Sequence, residues 1–362
     1  MKMYKYSGAG NLFVVLDGRD GGVERFREAA CIAELCRQHG TDGLMILDRS
    51  DSCDFKMEFY NPDGSGGMMC GNGGRCIAAF ADRLGIRPAA GEELVFEAAD
   101  GLHTARILAR EGDLKTVRLK MVDVKDYRLL PDGYFLNTGT RHFVTFVPDV
   151  EAVDVAAEGP RHRWRPDFAP EGANANFVSV HPDGLHVRTF EKGVEGETLA
   201  CGTGITASAI AAWLRGIPCA AAPAAGTPFG PASTPGGDAS RHPGVRFAHP
   251  SQPDGWAPPV HMATGGHAPG PGNIPAGSGR RASCSVDFPV GSAGAASSRV
   301  TYAVRARQDW LSVDFLPGPA VSSGRPLVPG GTSLSDPAPR SDESLVASEV
   351  YLTGPTELLS EI

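Results

Sequence analysis

Short apolar runs bounded by Gly, Asp and Pro recur along the first 216 residues and predict a chain rich in strands. The predicted strands cover residues 13–16, 44–47, 55–59, 94–97, 103–108, 116–121, 142–147, 176–180 and 185–190. Apolar residues at helical spacing predict helices over residues 26–39, 71–84 and 202–214. In each half the order is strands, a Gly-rich turn with a cysteine, and then a helix. This repeat predicts an α+β fold of two similar domains that face each other.

The hydrophobic pattern is lost after residue 216. From about residue 218 to 298, Pro, Gly, Ala and Ser dominate. Such a segment buries too little apolar surface to offset the ~1–2 kcal/mol per residue of backbone ordering entropy. We therefore predict a disordered insertion there and a second one over residues 317–341. The first insertion is expected either to be a tolerated loop far from any site or to dock a partner.

Strand character returns at residues 300–306, 310–315 and 350–355, and this return defines the predicted domains. An N-terminal lobe is expected to comprise residues 1–122 and about 348–362. A C-terminal lobe is expected to comprise residues 123–217 and about 299–316. Each lobe holds one helix that begins at a cysteine, Cys70 in the first lobe and Cys201 in the second.

Composition excludes several classes of protein. The formal net charge of -8 argues against a nucleic-acid binder, which needs clustered Lys and Arg. No run approaches the ~18 apolar residues of a membrane span, and the first residues lack the apolar core of a signal peptide. Eight cysteines in 362 residues without an export signal predict reduced thiols in the cytoplasm. The histidines and the cysteine of segment 218–298 lack metal-ligand spacing, so no metal site is expected.

Cys70 and Cys201 stand in nearly the same local sequence. The first begins Cys-Gly-Asn-Gly and the second Cys-Gly-Thr-Gly, and helix-forming residues follow both. The N–H groups and partial positive charge of a helix N-terminus favour a thiolate, which predicts a lowered thiol pKa, and they also cradle a carboxylate. A single such cysteine more often just fills a helix start. Two of them, in separate halves, indicate a pair of thiols that act on one substrate.

Two opposed thiols suit inversion of a carbon stereocentre. One thiolate removes the α-proton of an amino acid while the opposite thiol delivers a proton to the other face. Hydrogen bonds to the α-carboxylate strengthen as negative charge spreads onto it. The sequence therefore predicts an amino-acid racemase or epimerase that needs no pyridoxal phosphate or other cofactor. A redox-active disulfide is the minor alternative, disfavoured because the pair has no Cys-x-x-Cys spacing.

These motifs resemble those of the diaminopimelate epimerase family. The resemblance rests on Ser-Gly-Ala-Gly-Asn at 7–11, Asn-Pro-Asp-Gly-Ser at 61–65, Glu-Lys-Gly at 191–193 and Tyr-Leu-Thr-Gly-Pro at 351–355, together with the two cysteine motifs. It implies two pseudo-symmetric domains, each with a mostly antiparallel sheet or barrel wrapped around a central helix. It also implies interconversion of LL- and meso-2,6-diaminoheptanedioate for lysine and peptidoglycan precursor synthesis. The implied partner is a small amino-acid substrate, and the oligomeric state is left open, a homodimer included.

The resemblance also assigns roles to individual residues. Cys70 and Cys201 are implied to be the acid/base pair. The residues implied to contact the substrate are Asn11, Asn61, Gly71, Asn72, Asn174, Glu191, Lys192, Gly202 and Thr203. Lys192 is implied to meet the distal carboxylate, and His142, as a supporting residue, to lie near the acid/base pair. From the residues alone, Asn61 is equally well explained as a turn residue.

The chain departs from the family pattern near the site. Thr140 and Arg141 precede His142, where the family usually has Asn-Pro. Lys192 stands where Arg is usual, and it keeps the charge but loses the bidentate fork that suits a carboxylate. We hypothesise that Arg141 supplies a second, supporting cation. The nearest rival is a proline or hydroxyproline racemase of the same fold, which usually has His where this chain has Asn72. A catalytically silent binding homologue is disfavoured because both cysteines are present.

Overall fold

A computed structural model of the chain describes residues 1–66, 69–219, 299–307, 309–318 and 345–362. The segments predicted to be disordered, 218–298 and 317–341, lie outside these residues except for the first two positions of each. Their disorder therefore stays a prediction, as do the exact domain boundaries.

Strands make up most of the regular secondary structure in the described residues. The first lobe contains β1 (Met3–Gly8), β2 (Asn11–Asp17), β3 (Gly43–Asp48), β4 (Phe55–Tyr60), β5 (Leu94–Ala98), β6 (Gly101–Glu111) and β7 (Leu114–Lys120). The second contains β8 (Tyr127–Leu130), β9 (Gly133–Asn137), β10 (Arg141–Phe146), β11 (Asn174–His181), β12 (Gly184–Glu191), β13 (Gly196–Thr198), β14 (Val300–Arg305) and β15 (Trp310–Pro317), and β16 (Ala347–Glu361) follows. The α-helices are α1 (Ala29–His39), α2 (Gly71–Arg83), α3 (Val155–Arg163) and α4 (Gly202–Leu214), and two 3₁₀-helices cover Glu24–Arg27 and Pro166–Phe168.

The order and direction of strand pairing repeat in the two lobes. In the first lobe the path β1–β2–β3–β4–β5–β6–β7 is antiparallel except at β2–β3 and β4–β5, which pair in parallel. In the second lobe the path β9–β10–β11–β12–β14–β15–β16 has its parallel pairs at the same steps, β10–β11 and β12–β14. The connections repeat too, because α1 and α3 join the first parallel pair of each lobe and α2 and α4 lie between the strands of the second. The predicted two-lobed α+β fold is confirmed.

Strand β16 joins the two lobes. Its residues 347–353 pair with β15, and its residues 354–357 pair with β7. Residues 356–361 also pair with β1, which closes the sheet of the first lobe around α2. One continuous strand therefore belongs to the ladders of both lobes.

The central helices α2 and α4 are buried along most of their length. Residues 71–82 of α2 are all buried, and so are most residues of α4 up to position 212. Both helices are rich in Gly and Ala, and such small side chains let surrounding strands pack closely on every face. Among the described residues, no helix is long and apolar enough to cross a membrane.

The predicted helix over residues 26–39 is wrong at its start. The chain forms the 3₁₀-helix Glu24–Arg27, and Glu28 then has extended backbone (φ −78°, ψ 127°) before α1 begins at Ala29. Phe26 and Ile32 bury their side chains in the same cluster, so the apolar spacing runs across the break. The spacing alone could not reveal the break.

Helix α3 was not predicted from the sequence. It carries Gly159 and Pro160 in its interior, and both residues are typical helix breakers. Asp154 starts it by accepting a hydrogen bond from the N–H of Ala157 at 3.1 Å. The cap and the packing of Val155 against β11 and β12 outweigh the poor propensity.

Candidate active site

Cys70 and Cys201 occupy equivalent positions at the starts of the two central helices. Each is the residue before the first helical turn, with extended backbone at φ −109°, ψ 120° for Cys70 and φ −115°, ψ 107° for Cys201. The helix starts face each other, because a Cβ added to Gly71 would lie 3.9 Å from the Cα of Gly202. A Cβ at Gly202 would lie 2.9 Å from Cδ2 of Leu352, so glycine at this position lets the Leu352 side chain stay where it is.

Asn72 connects the two helix starts. Its Nδ2 donates to the carbonyl oxygen of Ala200 at 3.0 Å, directly before Cys201, and also to Oδ1 of Asn11. Its Oδ1 accepts from Nη2 of Arg75 at 2.9 Å. The structure therefore brings Asn11 and Asn72 together, with the Asn72 side chain fully engaged by protein groups across both lobes.

Thr203 and His142 lie beside Cys201. Oγ1 of Thr203 is 3.4 Å from Sγ of Cys201 and 2.9 Å from Nε2 of His142. The same Nε2 lies 2.8 Å from the hydroxyl of Thr140. His142 is fully buried, and burial lowers its pKa to about 3, so the imidazole is neutral at physiological pH.

Asn176 determines which nitrogen of His142 carries the proton. Its Nδ2 donates to the carbonyl oxygen of Phe143 at 2.9 Å, and its Oδ1 accepts from the hydroxyl of Thr189 at 2.9 Å, which fixes the orientation of the amide. The same Nδ2 lies 3.1 Å from Nδ1 of His142, which must therefore accept. The proton is left on Nε2, the nitrogen that faces Thr203.

Glu191 brings a negative charge to both thiols. Its Oε2 accepts from the hydroxyl of Thr198 at 2.9 Å. Burial raises the pKa of Glu191 to about 7, and the charge of Asp42, across from it in the first lobe, raises it too. In its charged form Glu191 raises the pKa of Cys70 and of Cys201.

The predicted lowering of the thiol pKa values is wrong for this structure. Burial raises the pKa of Cys70 to about 11 and also raises the pKa of Cys201. The N–H groups of Gly73 and Asn72 act in the opposite direction at Cys70, as the helix-start argument requires. Desolvation of the charged thiolate is larger than their effect. Both thiols are therefore neutral in the absence of substrate.

Asn174 and three cations lie on the same side of the second lobe. Nδ2 of Asn174 donates to the carbonyl oxygen of Arg141 at 2.9 Å, and its Oδ1 accepts from the backbone N–H of Lys192 at 2.7 Å. The Arg141 side chain forms an ion pair with Glu171. Burial, together with the charges of Arg163 and Arg141, lowers the pKa of Lys192. This electrostatic environment favours an anion next to Lys192.

Asn61 is held within its own turn. Its Nδ2 donates to the hydroxyl of Ser65 at 2.9 Å, and its carbonyl oxygen accepts from the N–H of Gly64. The turn interpretation of Asn61 is therefore present in the structure. Its implied contact with substrate stays a prediction.

Sequence reasoning missed Arg75 and Asn176. Arg75 is three residues after Asn72 on a helix, and Asn176 is two residues after Asn174 on a strand. Both spacings place the side chain on the same face as its neighbour, so both residues could have been found from periodicity.

One group of residues away from the cysteines has the composition of a metal site. The ligand atoms of His181, Asp183 and His186 lie within 4.8 Å of one another at the turn between β11 and β12. His186 is already paired with Asp183 at 3.1 Å, and His181 with Ser179 at 2.8 Å. The seven cysteines among the described residues are all free thiols.

Facing cysteine helices in a two-lobed α+β fold define the class of amino-acid racemases and epimerases. The family model described as diaminopimelate epimerase matches residues 3–121 and 134–233. The chain belongs to the diaminopimelate epimerase family, and it is an isomerase.

Two relatives and one solved structure illustrate the similarity. The chain is 43% identical over 217 residues to the diaminopimelate epimerase of Flavobacterium psychrophilum, a match that covers 58% of this chain and 81% of the relative. It is 40% identical over 222 residues to that of Chlorobaculum tepidum, covering 58% and 82%. The crystal structure of a phenazine biosynthesis protein of the PhzF family from Bacillus anthracis covers 100% of this chain and 98% of its own, with a TM-score of 0.56 at 10% identity. That likeness shows the shared fold.

Proposed function

We propose that this chain interconverts LL- and meso-2,6-diaminoheptanedioate through a two-thiol mechanism and thereby serves lysine and peptidoglycan precursor synthesis. The observation that carries the proposal is the approach of the two helix starts that bear Cys70 and Cys201. The names of the curated relatives, diaminopimelate epimerase, support the choice of substrate.

The reaction breaks the Cα–H bond on one face of the substrate and forms a new one on the other. The thiolate of one cysteine takes the proton, and the opposite cysteine gives its thiol proton to the carbanion. The roles of thiol and thiolate are exchanged at the end of each turnover, so atoms and charge balance. We assign the backbone N–H groups after each cysteine, at Gly71, Asn72, Gly202 and Thr203, to the α-carboxylate, whose charge grows as the proton leaves.

The raised thiol pKa values make the substrate part of the activation. One thiolate is required, and burial disfavours it. The α-ammonium group of a bound amino acid adds positive charge, which favours the thiolate. Glu191 and Asp42 supply the negative charge that attracts this ammonium group.

The cations of the second lobe support a dicarboxylate substrate. Lys192 lies in the field of Arg163 and Arg141, and each arginine pairs with an exposed glutamate. A distal carboxylate would relieve this repulsion. Arg141→Ala is expected to raise KM for diaminoheptanedioate while leaving the rate of α-proton exchange at saturation unchanged. An unchanged KM would contradict a role for Arg141.

The decisive experiment is proton NMR of LL-diaminoheptanedioate with the reduced enzyme in deuterium oxide, with L-proline in a parallel tube. Loss of the α-proton signal together with appearance of the meso isomer would support the proposal. Exchange on proline alone would keep the two-thiol chemistry and overturn the substrate. No exchange on either compound, with free thiols verified by titration, would contradict the proposed function.

Location and assembly belong to the proposal as well. We expect the enzyme in the cytoplasm, where its precursor pathway and reduced thiols would be found. The oligomeric state is left open by the sequence, with a homodimer as one candidate assembly, and light scattering after size exclusion tests it. A mass equal to one chain would contradict the dimer.

A further inference from the structure

Arg75 is a buried cation directly behind the facing helix starts. It is 0% exposed, and its Nη2 donates to Oδ1 of Asn72. Its Nε and Nη1 have no hydrogen-bond partner among the described residues. Within the same residues no carboxylate forms an ion pair with it. An unpaired buried guanidinium is costly, so its presence needs a reason beyond packing.

Arg75 fixes the orientation of the Asn72 amide. A guanidinium group can only donate hydrogen bonds, so Asn72 must turn its Oδ1 toward it. The Nδ2 group is then directed at the carbonyl oxygen of Ala200, at 3.0 Å, and at Oδ1 of Asn11. With the amide reversed, Oδ1 of Asn72 would face the carbonyl oxygen of Ala200 and Oδ1 of Asn11, and Nδ2 of Asn72 would face Nη2 of Arg75, so acceptor would meet acceptor and donor would meet donor. The spacing between the Cys70 helix and the residue before Cys201 therefore depends on Arg75.

Arg75 also places a positive charge near Cys70. Its charge acts to lower the pKa of Cys70, against burial and against Glu191. Among the described residues, the other titratable groups that act on Cys70, Cys201 or Arg75 through their charges include Cys76, Glu191 and Asp309, and Cys70 itself acts on Cys201 and on Arg75. Asp309 is the carboxylate of this group that acts on Arg75, and no hydrogen bond joins the two among the described residues. Among these interacting groups, Arg75 carries the positive charge that acts on Cys70.

We propose that Arg75 is a positioning residue of the epimerase: it holds Asn72 as the bridge between the two cysteine helices, and its charge stabilises the thiolate that Cys70 forms during turnover. The role of Arg75 in turnover rests on the proposed function. The effect of Arg75 on Cys70 in the free enzyme does not depend on it. Arg75 itself need not touch the substrate.

The test compares Arg75→Met and Arg75→Lys with the wild type in the full chain. The first readout is kcat and KM on diaminoheptanedioate. The second is the pH dependence of Cys70 alkylation by iodoacetamide without substrate, followed by peptide mass spectrometry. Lys115→Met is the matched control, because Lys115 is a buried cation at the other end of α2, where it pairs with Asp82 at 2.7 Å.

Arg75→Met is expected to lower kcat about a hundredfold, the size of effect that misplaced reacting groups produce. Its Cys70 alkylation curve is expected to move to higher pH, since each unit of increase in pKa lowers the thiolate fraction about tenfold. Arg75→Lys keeps the positive charge, so its alkylation curve should stay near that of the wild type. It loses the planar guanidinium donors that hold Asn72, so kcat should fall about tenfold. Lys115→Met should lower Tm and change neither readout.

Wild-type kcat and alkylation in Arg75→Met would overturn the proposal, and so would an equal alkylation shift in Lys115→Met. If Arg75→Met does not fold, Arg75→Lys remains the test: a wild-type kcat in that variant would overturn the positioning role. A wild type that is inactive on diaminoheptanedioate would contradict the proposed function instead, while the alkylation curves would still test the effect of Arg75 on Cys70.

Discussion

Nε2 of His142 lies 2.9 Å from the hydroxyl oxygen of Thr203. Because Asn176 leaves the imidazole proton on Nε2, His142 can donate to this hydroxyl, which is then free to donate to Sγ of Cys201 at 3.4 Å. The proton on Nε2 faces two hydroxyls, that of Thr203 and that of Thr140 at 2.8 Å, so a buried neutral histidine can orient the Thr203 hydroxyl toward the thiol without carrying a charge of its own. The resemblance implied only that His142 lies near the acid/base pair.

Thr203→Val should impair the Cys201 half of the reaction. The substitution keeps the shape of the side chain and removes the donor to the Cys201 thiolate. A hydrogen bond to a charged group contributes ~1.5–3 kcal/mol, so kcat is expected to fall ~10- to 100-fold. Ser208→Ala is the control, because Ser208 lies in the same helix and donates to a helix carbonyl, that of Gly204. Equal kcat values for the two variants would argue against a role for the Thr203 hydroxyl.

Replacing either cysteine should abolish inversion while leaving exchange on one face. In Cys201→Ala, Cys70 can still remove and return a proton on its own side of the substrate. Epimerisation is expected to fall by at least ~100- to 10,000-fold, the usual contribution of a general acid or base. Proton NMR in deuterium oxide separates exchange from inversion. Cys53→Ser, a thiol outside the site, serves as the control, and rapid inversion by Cys201→Ala would rule out the two-thiol scheme.

Gly204→Ala should displace the residues that orient His142. A Cβ at this position would collide with Oδ1 of Asn176 and would lie 3.3 Å from Cε1 of His142. Overpacking of this kind costs ~1–3 kcal/mol of stability, and kcat should fall as His142 moves. Gly196→Ala is the matched control, since the nearest atom there is 4.0 Å away. Urea denaturation and kcat would be compared, and a Gly204 variant indistinguishable from the Gly196 variant would contradict the packing argument.

His142 should make the protein less stable in acid. Its pKa is about 3 in the folded chain and near 6.5 in the unfolded chain, so the unfolded state binds more protons between these values. The contribution of neutral His142 to the free energy of unfolding is therefore fully present above pH 6.5 and is lost as the pH falls toward 3. At pH 5 the loss is about 2 kcal/mol.

His142→Gln should remove this part of the acid dependence. Denaturation of the variant and the wild type at pH 7 and pH 5 gives the difference directly, because the remaining histidines are common to both. An unchanged slope in His142→Gln would show that His142 is not buried in its neutral form.

The sequence was sufficient for the repeated order of elements and for the two cysteine motifs, because both are local. Helix starts at Cys70 and Cys201 follow from their Gly-rich turns, and the structure has them at the predicted residues. The meeting of the two helices depends on pairing between distant strands, which local patterns do not encode. The resemblance to a known family supplied that step.

The thiol pKa values could not be predicted from the motif. The helix-start argument considered the N–H groups, which do act in the expected direction at Cys70. It lacked the cost of desolvation and the charge of Glu191, which lies 121 positions away in sequence. Asn61 is a contrasting case. Its turn was visible in the sequence, and in the structure its side chain does donate a hydrogen bond to Ser65 within that turn.

Strand β16 changes partners between Thr353 and Gly354, from β15 of one lobe to β7 of the other. A rotation of one lobe against the other would have to bend the chain at this point, so these two residues form a mechanical pivot. A Cβ on Gly354 would lie 3.5 Å from Cζ of Arg75. Gly354 therefore lies beside the buried guanidinium, so bending of the strand at this point would reach Arg75 and the Asn72 bridge between the two cysteine helices.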